Sequence, residues 1–190
     1  MKWTFVFLIT AVAVFFLQST GLFDWRLFAF TPGLALERLW TFITSIFLHA
    51  DFTHLFFNMF ALLIFGTVLE SRIGSKNFII IFFVSGIVGS LGYMITTRNP
   101  SIPAIGASGA VYGILGALAI LMPKMVVFVW GIPMPMIAAA GFWTLTEFLG
   151  LFYPSGIARG AHLGGLFIGI IYGLYLRNQE KKYRLILKEY

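Results

Sequence analysis

The chain contains no cysteine and few charged residues, and each shortage excludes a class of protein. Without cysteine there is no disulfide, no thiolate metal site and no cysteine nucleophile. Charged residues make up 11% of the chain, against roughly 25% in an average soluble domain. Because 59% of the 190 residues are hydrophobic, a soluble globule of this size could not bury them, and a disordered chain is excluded as well. The composition predicts an all-α polytopic membrane protein with a single membrane domain over residues 1–190.

Apolar segments of suitable length are found along the whole chain, and a spanning helix needs about 20 mostly apolar residues. The predicted spans are residues 3–20, 52–70, 77–96, 107–122, 125–147 and 160–177. Pro133 and Pro135 are predicted to kink the fifth span, which neighbouring helices can tolerate. The first apolar run could instead be a cleaved signal peptide because Lys2 precedes it, although no small-x-small site ends it.

Residues 21–51 differ from the spans, because charged residues alternate there with tryptophan and phenylalanine. Tryptophan beside charge is typical of the lipid headgroup region. We therefore interpret this segment as a long, partly helical interfacial loop in the outer leaflet.

The distribution of basic residues predicts the orientation in the membrane. With six spans, one side carries nine basic residues, namely Lys2, Arg72, Lys76, Lys124, Arg177, Lys181, Lys182, Arg184 and Lys188. The other side carries four, namely Arg26, Arg38, Arg98 and Arg159. The positive-inside rule places both termini in the cytoplasm. The basic tail over residues 178–190 suits an anionic lipid surface, so we expect membrane lipid rather than nucleic acid as a partner.

Several polar side chains fall in or beside the predicted spans, where they are costly and usually face a bundle interior or a wet cavity. Ser108 and His162 begin the fourth and sixth spans on the extracytoplasmic side. His54 lies at comparable depth, and Asn58 follows it by four residues on the same helical face. His49 precedes the second span and is interpreted as a structural residue of the first loop.

Two stripes of glycine predict that the fourth and sixth spans touch. The stripes are Gly106, Gly109, Gly113 and Gly116 in the fourth span, and Gly165, Gly169 and Gly173 in the sixth. Small residues at this spacing let membrane helices approach closely, and simple packing would explain the stripes alone. Each stripe, however, carries one polar residue at its outward end. Close approach of the two helices would bring the Ser108 hydroxyl within reach of the His162 imidazole.

A serine hydroxyl becomes a good nucleophile when a base takes its proton, and histidine is the usual base. At a helix start, free backbone N–H groups also suit a developing oxyanion. We expect no Asp or Glu at the depth of His162, and Asp51, the nearest candidate, is not expected to reach it. The residues therefore predict a Ser–His dyad rather than a triad, with Tyr112 packed on the imidazole one turn after Ser108.

Three stretches together resemble the rhomboid family of intramembrane serine proteases, in its minimal six-span prokaryotic form. They are His54-Leu-Phe-Phe-Asn58, Gly106-Ala-Ser-Gly-Ala-Val-Tyr-Gly113 and Ala161-His-Leu-Gly-Gly165. The resemblance covers about residues 38–175 and implies a six-transmembrane-helix rhomboid-like bundle. It implies that Ser108 is the nucleophile and His162 the general base, with Tyr112 stacked on His162. It also implies an oxyanion hole formed by His54, Asn58 and the backbone N–H of Ser108.

The resemblance further implies cleavage of single-span membrane proteins, in or near the outer end of the transmembrane helix, by a multi-pass enzyme of the cell membrane. The active site would open to the extracytoplasmic side and would need no cofactor and no metal. Glycines at 106, 109, 165 and 169 would support the site. Glu70 and Arg72 would be structural and would tie the second and third spans together.

Three alternatives compete with this hypothesis. A zinc site is disfavoured because His49 and His54 are five residues apart and no H-E-x-x-H is present. A transporter or channel is disfavoured because the acidic residues nearest the spans, Glu70 and Glu147, lie close to span ends and no internal repeat is present. The third alternative is a catalytically inactive rhomboid-like factor that binds or sorts membrane proteins. The oligomeric state stays open.

Overall fold

The computed structural model describes residues 2–153 and 156–186, with side chains up to residue 182. The helices of this part of the chain are α1 (Lys2–Ser19), α2 (Thr41–Thr44), α3 (Phe52–Ala61), α4 (Thr67–Thr96), α5 (Ser108–Leu121), α6 (Met136–Gly150) and α7 (Arg159–Ile186). Two short strands, β1 (Val126–Val129) and β2 (Ile132–Pro135), lie between α5 and α6. The end of the predicted basic tail, including Lys188, falls outside the described residues.

Two helical stretches of the described chain are long and apolar enough to cross a membrane, namely Lys2–Ser19 and Phe52–Thr96. The second stretch comprises α3, a π-helical turn at Leu62–Gly66 and α4. Gly74 interrupts α4 with φ of 78° and ψ of 157°, a left-handed conformation that favours glycine. The interruption falls where the sequence predicts the loop between the second and third spans.

The region predicted as the fifth span differs from the prediction. β1 and β2 pair as an antiparallel hairpin, and α6 begins only at Met136. Pro133 and Pro135 lie in β2 instead of kinking a helix, so that prediction is wrong. Proline favours extended backbone in itself and in the residue before it. Trp130 and Gly131, both with positive φ, form the tight turn between the strands.

The centre of the molecule is α5, which packs against both α4 and α7. A Cβ placed on Gly169 would overlap the carbonyl oxygen of Gly113, and one on Gly165 would overlap that of Gly109. The two backbones are therefore in direct contact along the glycine stripes. The predicted approach of these two helices is present in the structure.

A further stripe of small residues in α4 was missed by the sequence analysis. A Cβ on Gly92 would overlap the carbonyl oxygen of Gly160, and one on Gly89 would lie 2.9 Å from that of Ala161. The three-residue spacing of these glycines is the signal that could have revealed this stripe. As a result, the start of α7 is held between α4 and α5.

The segment between α1 and α3 fixes the chain just before α5. It contains α2 and short 3₁₀ turns at Trp25–Leu27, Pro32–Leu34 and Ser45–Phe47. The backbone N–H of Ala104 donates to the carbonyl oxygen of Phe30 at 2.8 Å. The backbone N–H of Gly106 donates to the carbonyl oxygen of Ser45 at 2.9 Å. These bonds hold the loop from which Ser108 emerges.

Glu70 joins the first turn of α1 to the body of the molecule. Its carboxylate accepts hydrogen bonds from the backbone N–H groups of Trp3 and Thr4, both at 3.0 Å, and from the Ser75 hydroxyl at 2.7 Å. A carboxylate there satisfies N–H groups that lack helical partners and complements the helix dipole. Arg72 instead pairs with Glu180 of α7 at 2.7 Å. Glu70 therefore connects the end of the second span to α1 as well as to Ser75. Arg72 connects the same region to α7 and does not join the second span to the third as expected.

Candidate active site

Ser108 and His162 are joined by a hydrogen bond. The Oγ atom of Ser108 lies 2.8 Å from Nε2 of His162, the usual distance for such a pair. Ser108 is the first residue of α5, and His162 lies in the first turn of α7. The pair meets because the glycine contacts between the two helices leave no side chain to separate them.

The ring of Tyr112 lies flat on the imidazole of His162. The ring centroids are 4.3 Å apart and the planes differ by 6°. Tyr112 occupies this position because it follows Ser108 by four residues, one helical turn, on the same face of α5. The stack restricts rotation of the histidine ring and keeps Nε2 directed at the serine.

His54 lies against the loop that precedes Ser108. A Cβ on Gly106 would come within 2.7 Å of Cε1 and 2.8 Å of Nε2 of His54, and Gly106 has φ of 120°. Both the space and the backbone conformation therefore require glycine. The backbone N–H of Ala50 donates to Nδ1 of His54 at 3.4 Å. This bond assigns the ring hydrogen of the neutral imidazole to Nε2, the atom nearest Gly106.

Asn58 is buried one turn after His54. Its Nδ2 donates to the carbonyl oxygen of His54 at 2.9 Å. A side-chain amide has two N–H groups, so one donor remains for another acceptor. Asp51, the acidic residue considered in the sequence analysis, caps α3 by accepting the backbone N–H of His54 at 2.8 Å.

A carboxylate does reach His162, and the expectation that none lies at this depth is wrong. Oε2 of Glu147 is 3.1 Å from Nδ1 of His162, although the angle is not that of an aligned hydrogen bond. The Tyr112 hydroxyl donates to Oε1 of Glu147 at 2.7 Å, and Arg159 Nη1 donates to Oε2 at 3.4 Å. The sequence could have indicated a carboxylate near His162, because the predicted fifth span ends at Glu147 on the side of the membrane where the sixth span begins.

A small cavity adjoins Ser108. Its volume is about 30 Å³, and its lining includes the polar residues Ser45 and Ser90 beside Ser108. A cavity of this size with several hydroxyl groups in its wall has room for one or two water molecules. Water is the second substrate of any hydrolysis.

His49 is fully buried beside the site. Its Nδ1 lies 3.3 Å from the carbonyl oxygen of Phe47, and its own carbonyl accepts from the Gln18 side chain at 2.9 Å. The His49 and His54 ring centroids are 5.1 Å apart. In the part of the chain that the structure describes, no three His, Cys, Asp or Glu residues are grouped to hold a metal ion.

The fold and the site together define a helical membrane protein with a serine–histidine pair at the meeting point of two glycine-lined helices. Comparison with known proteins identifies the family. The model of the Rhomboid domain matches residues 36–179. The chain therefore belongs to the rhomboid family, a family of membrane proteins that includes intramembrane proteases.

Individual relatives extend this result. The chain is 31% identical to YdcA of Bacillus subtilis over 186 residues, which cover 95% of this chain and 91% of YdcA. It is 35% identical to the mitochondrial Rhomboid protein 1 of Saccharomyces cerevisiae over 153 residues, 75% of this chain and 43% of the yeast protein. It is 36% identical to Rhomboid protease GluP of Bacillus subtilis over 72% of this chain and 26% of GluP. The chain thus spans less than half the length of the last two proteins.

The family is not uniformly active. The chain is also 33% identical over 108 residues to a protein of Arabidopsis thaliana named Inactive RHOMBOID-like protein 8, with 57% of this chain covered. Membership alone therefore supports a protease without establishing catalysis.

Proposed function

We propose that the protein is an intramembrane serine endopeptidase that works with a Ser108–His162 pair. It cleaves peptide bonds in or near the outer end of the transmembrane helices of single-span membrane proteins. The observation that carries the proposal is the 2.8 Å contact between Ser108 Oγ and His162 Nε2. The stacked ring of Tyr112 supports it, since a merely structural histidine needs no such restraint.

The reaction begins when His162 Nε2 takes the proton of Ser108 and the serine oxygen attacks the scissile carbonyl carbon. The carbonyl oxygen becomes an oxyanion, which the backbone N–H of Ser108, the Nε2–H of His54 and the spare N–H of Asn58 stabilise. His162 then gives its proton to the leaving amine. Water attacks the resulting acyl-enzyme by the same route and releases the second product.

The membrane sets the remaining requirements. Our proposal retains the first span and places six spans in the bilayer with both termini cytoplasmic, so that the site opens to the extracytoplasmic side. A substrate helix has its carbonyl groups bonded internally and must unwind before attack. Substrates with glycine, proline or other weak helix formers near the cut are therefore preferred.

The test is cleavage of a model single-span substrate by purified protein in lipid vesicles. Ser108→Ala and His162→Ala should each abolish cleavage while the thermal midpoint in detergent shows that both variants fold. Gly141→Ala, on a part of α6 with open space around it, should cleave like the wild type. Undiminished cleavage by Ser108→Ala would end the proposal.

The second candidate is a non-catalytic factor that binds or sorts membrane proteins. It is favoured by the similarity to a relative named as inactive. In the same vesicles such a factor would retain the substrate in pull-down without producing any cleaved fragment, for wild type and Ser108→Ala alike.

A further inference from the structure

We propose that Glu147 is a positioning residue of the site, which orients His162 and balances its charge, so that the working unit is Ser108–His162–Glu147. This inference rests on the proposed function and adds a third member to it. Glu147 lies in the last turn of α6, outside the three sequence stretches from which the site was assembled.

Glu147 contacts both the imidazole of His162 and the tyrosine that stacks on it. Oε2 lies 3.1 Å from Nδ1 of His162, closer than the 3.4 Å that separates it from Arg159. Oε1 accepts from the hydroxyl of Tyr112, whose ring stacks on His162. One tyrosine therefore fixes the plane of the imidazole and the position of the carboxylate together.

Proton transfer from Ser108 to His162 requires a hydrogen-bond acceptor beside Nδ1 of His162. For Nε2 to accept the serine proton, the neutral imidazole must carry its hydrogen on Nδ1. That atom is buried and has no aligned hydrogen-bond partner among the described residues. The carboxylate at 3.1 Å is placed to accept this hydrogen after a small rotation. Hydrogen bonds of catalytic groups are often loose without substrate and tighten as charge develops.

The charge of Glu147 suits the same task. When His162 takes the serine proton it becomes an imidazolium in a buried place, and an adjacent carboxylate stabilises that cation. The side chain of Glu147 is itself 9% exposed. A buried carboxylate is costly unless it is paired, and here the Tyr112 hydroxyl and Arg159 hold it ionised beside the histidine.

Arg159 reaches Glu147 by crossing the backbone at Gly150. A Cβ on Gly150 would overlap the Cδ, Nε and Cζ atoms of Arg159. A side chain at this position would therefore displace the flexible end of Arg159. We expect Gly150→Ala to move the guanidinium away from Glu147, because the atoms nearest the new Cβ all belong to Arg159.

The experiment measures the rate constant for labelling of purified full-length protein by a fluorophosphonate probe, as a function of pH. Glu147→Gln should slow labelling on the order of tenfold to a hundredfold, the range of one charge-assisted hydrogen bond. The pH dependence of its labelling should also change, because the negative charge beside His162 is removed while Arg159 and His54 remain. Glu147→Asp, which keeps the charge, should lie between the two.

Glu70→Gln is the matched control, since Glu70 is also a buried glutamate but contacts α1 far from Ser108 in the chain. It should lower the thermal midpoint and leave the labelling rate and pH profile of the folded fraction unchanged. Should Glu147→Gln fail to fold, two other variants test the same contacts. Tyr112→Phe removes the hydroxyl that binds Glu147, and Gly150→Ala displaces Arg159. Each should slow labelling.

Equal labelling rates and coincident pH profiles for Glu147→Gln and wild type would overturn the inference while leaving the serine–histidine pair intact. The same holds if Glu147→Gln slows labelling only as much as Glu70→Gln does. Absence of labelling in the wild type is a different result, which would count against the proposed function itself.

Discussion

The hydroxyl of Ser108 and the imidazole of His162 meet because each lies at the end of a stripe of glycines along which the two helix backbones are in contact. Tyr112 follows Ser108 by one helical turn, and its ring stacks on that of His162 with the ring centroids 4.3 Å apart. Its hydroxyl simultaneously binds Glu147 at 2.7 Å. At the scale of single residues, the site is a small set of side chains, each restrained by a neighbour.

Asn58 contributes measurably to turnover if its spare N–H donates to the oxyanion. We expect Asn58→Ala to lower turnover of a model single-span substrate on the order of tenfold to a thousandfold, the usual effect of removing one oxyanion donor. The loss should appear in kcat rather than KM, because the interaction exists chiefly in the transition state. Unchanged kcat would remove Asn58 from the oxyanion hole.

His49 should make the stability of the protein depend on pH. The pKa of His49 is lowered from 6.5 to about 4, chiefly by burial and also by the nearby His54, while the Phe47 carbonyl opposes the shift. Above pH 6.5 the ring is neutral in the folded and unfolded chains alike. Between pH 6.5 and 4 only the unfolded chain binds the proton, so the free energy of unfolding falls as pH falls.

The contribution of His49 to this fall is about 1.4 kcal/mol per pH unit. Denaturant unfolding in detergent at pH 7 and pH 5 measures it, with His49→Leu as the comparison. The variant should be less stable overall but should lose this part of the pH dependence. An identical pH dependence in both proteins would contradict the assignment.

At the scale of helices and strands, the close packing of α5 on α7 has a direct test. In Gly169→Ala the new Cβ would overlap the Gly113 carbonyl oxygen. We expect the free energy of unfolding to fall by about 1–3 kcal/mol, as for other overpacked cores. Gly141→Ala is the control, because nothing lies within 4 Å of its Cβ position, and it should be neutral or slightly stabilising. Equal stability of the two variants would argue against backbone contact between the helices.

The sequence predicted the α5–α7 contact because two independent signals agree there. Glycine periodicity marks the contacting faces, and Ser108 and His162 mark their matching ends. The fifth span was predicted less well, since hydropathy does not distinguish an apolar hairpin from an apolar helix. Here the hairpin ends at Pro135 and the helix begins at Met136. Glu147 was missed although the predicted fifth span ends at it on the side where the sixth begins, because its contact with His162 also depends on how α6 is turned toward α7.

At the scale of the whole molecule, the orientation in the membrane is a prediction that the chain makes easy to test. The sequence has no cysteine, so single introduced cysteines report without background. Ser101→Cys should react with a membrane-impermeant maleimide in intact cells, because the 98–106 loop is predicted to be extracytoplasmic. Lys124→Cys should react only after lysis. Both positions are exposed in the structure, and the reverse pattern would invert the predicted topology.

The most direct measurement is to find which residue of the purified full-length protein a fluorophosphonate modifies. A hydroxyl attacks such a probe quickly only when a base activates it. We predict that mass spectrometry will find the adduct on Ser108 in the wild type, and that the adduct will be lost in His162→Ala although this variant folds. An adduct on another residue, or full modification of Ser108 without His162, would contradict the account.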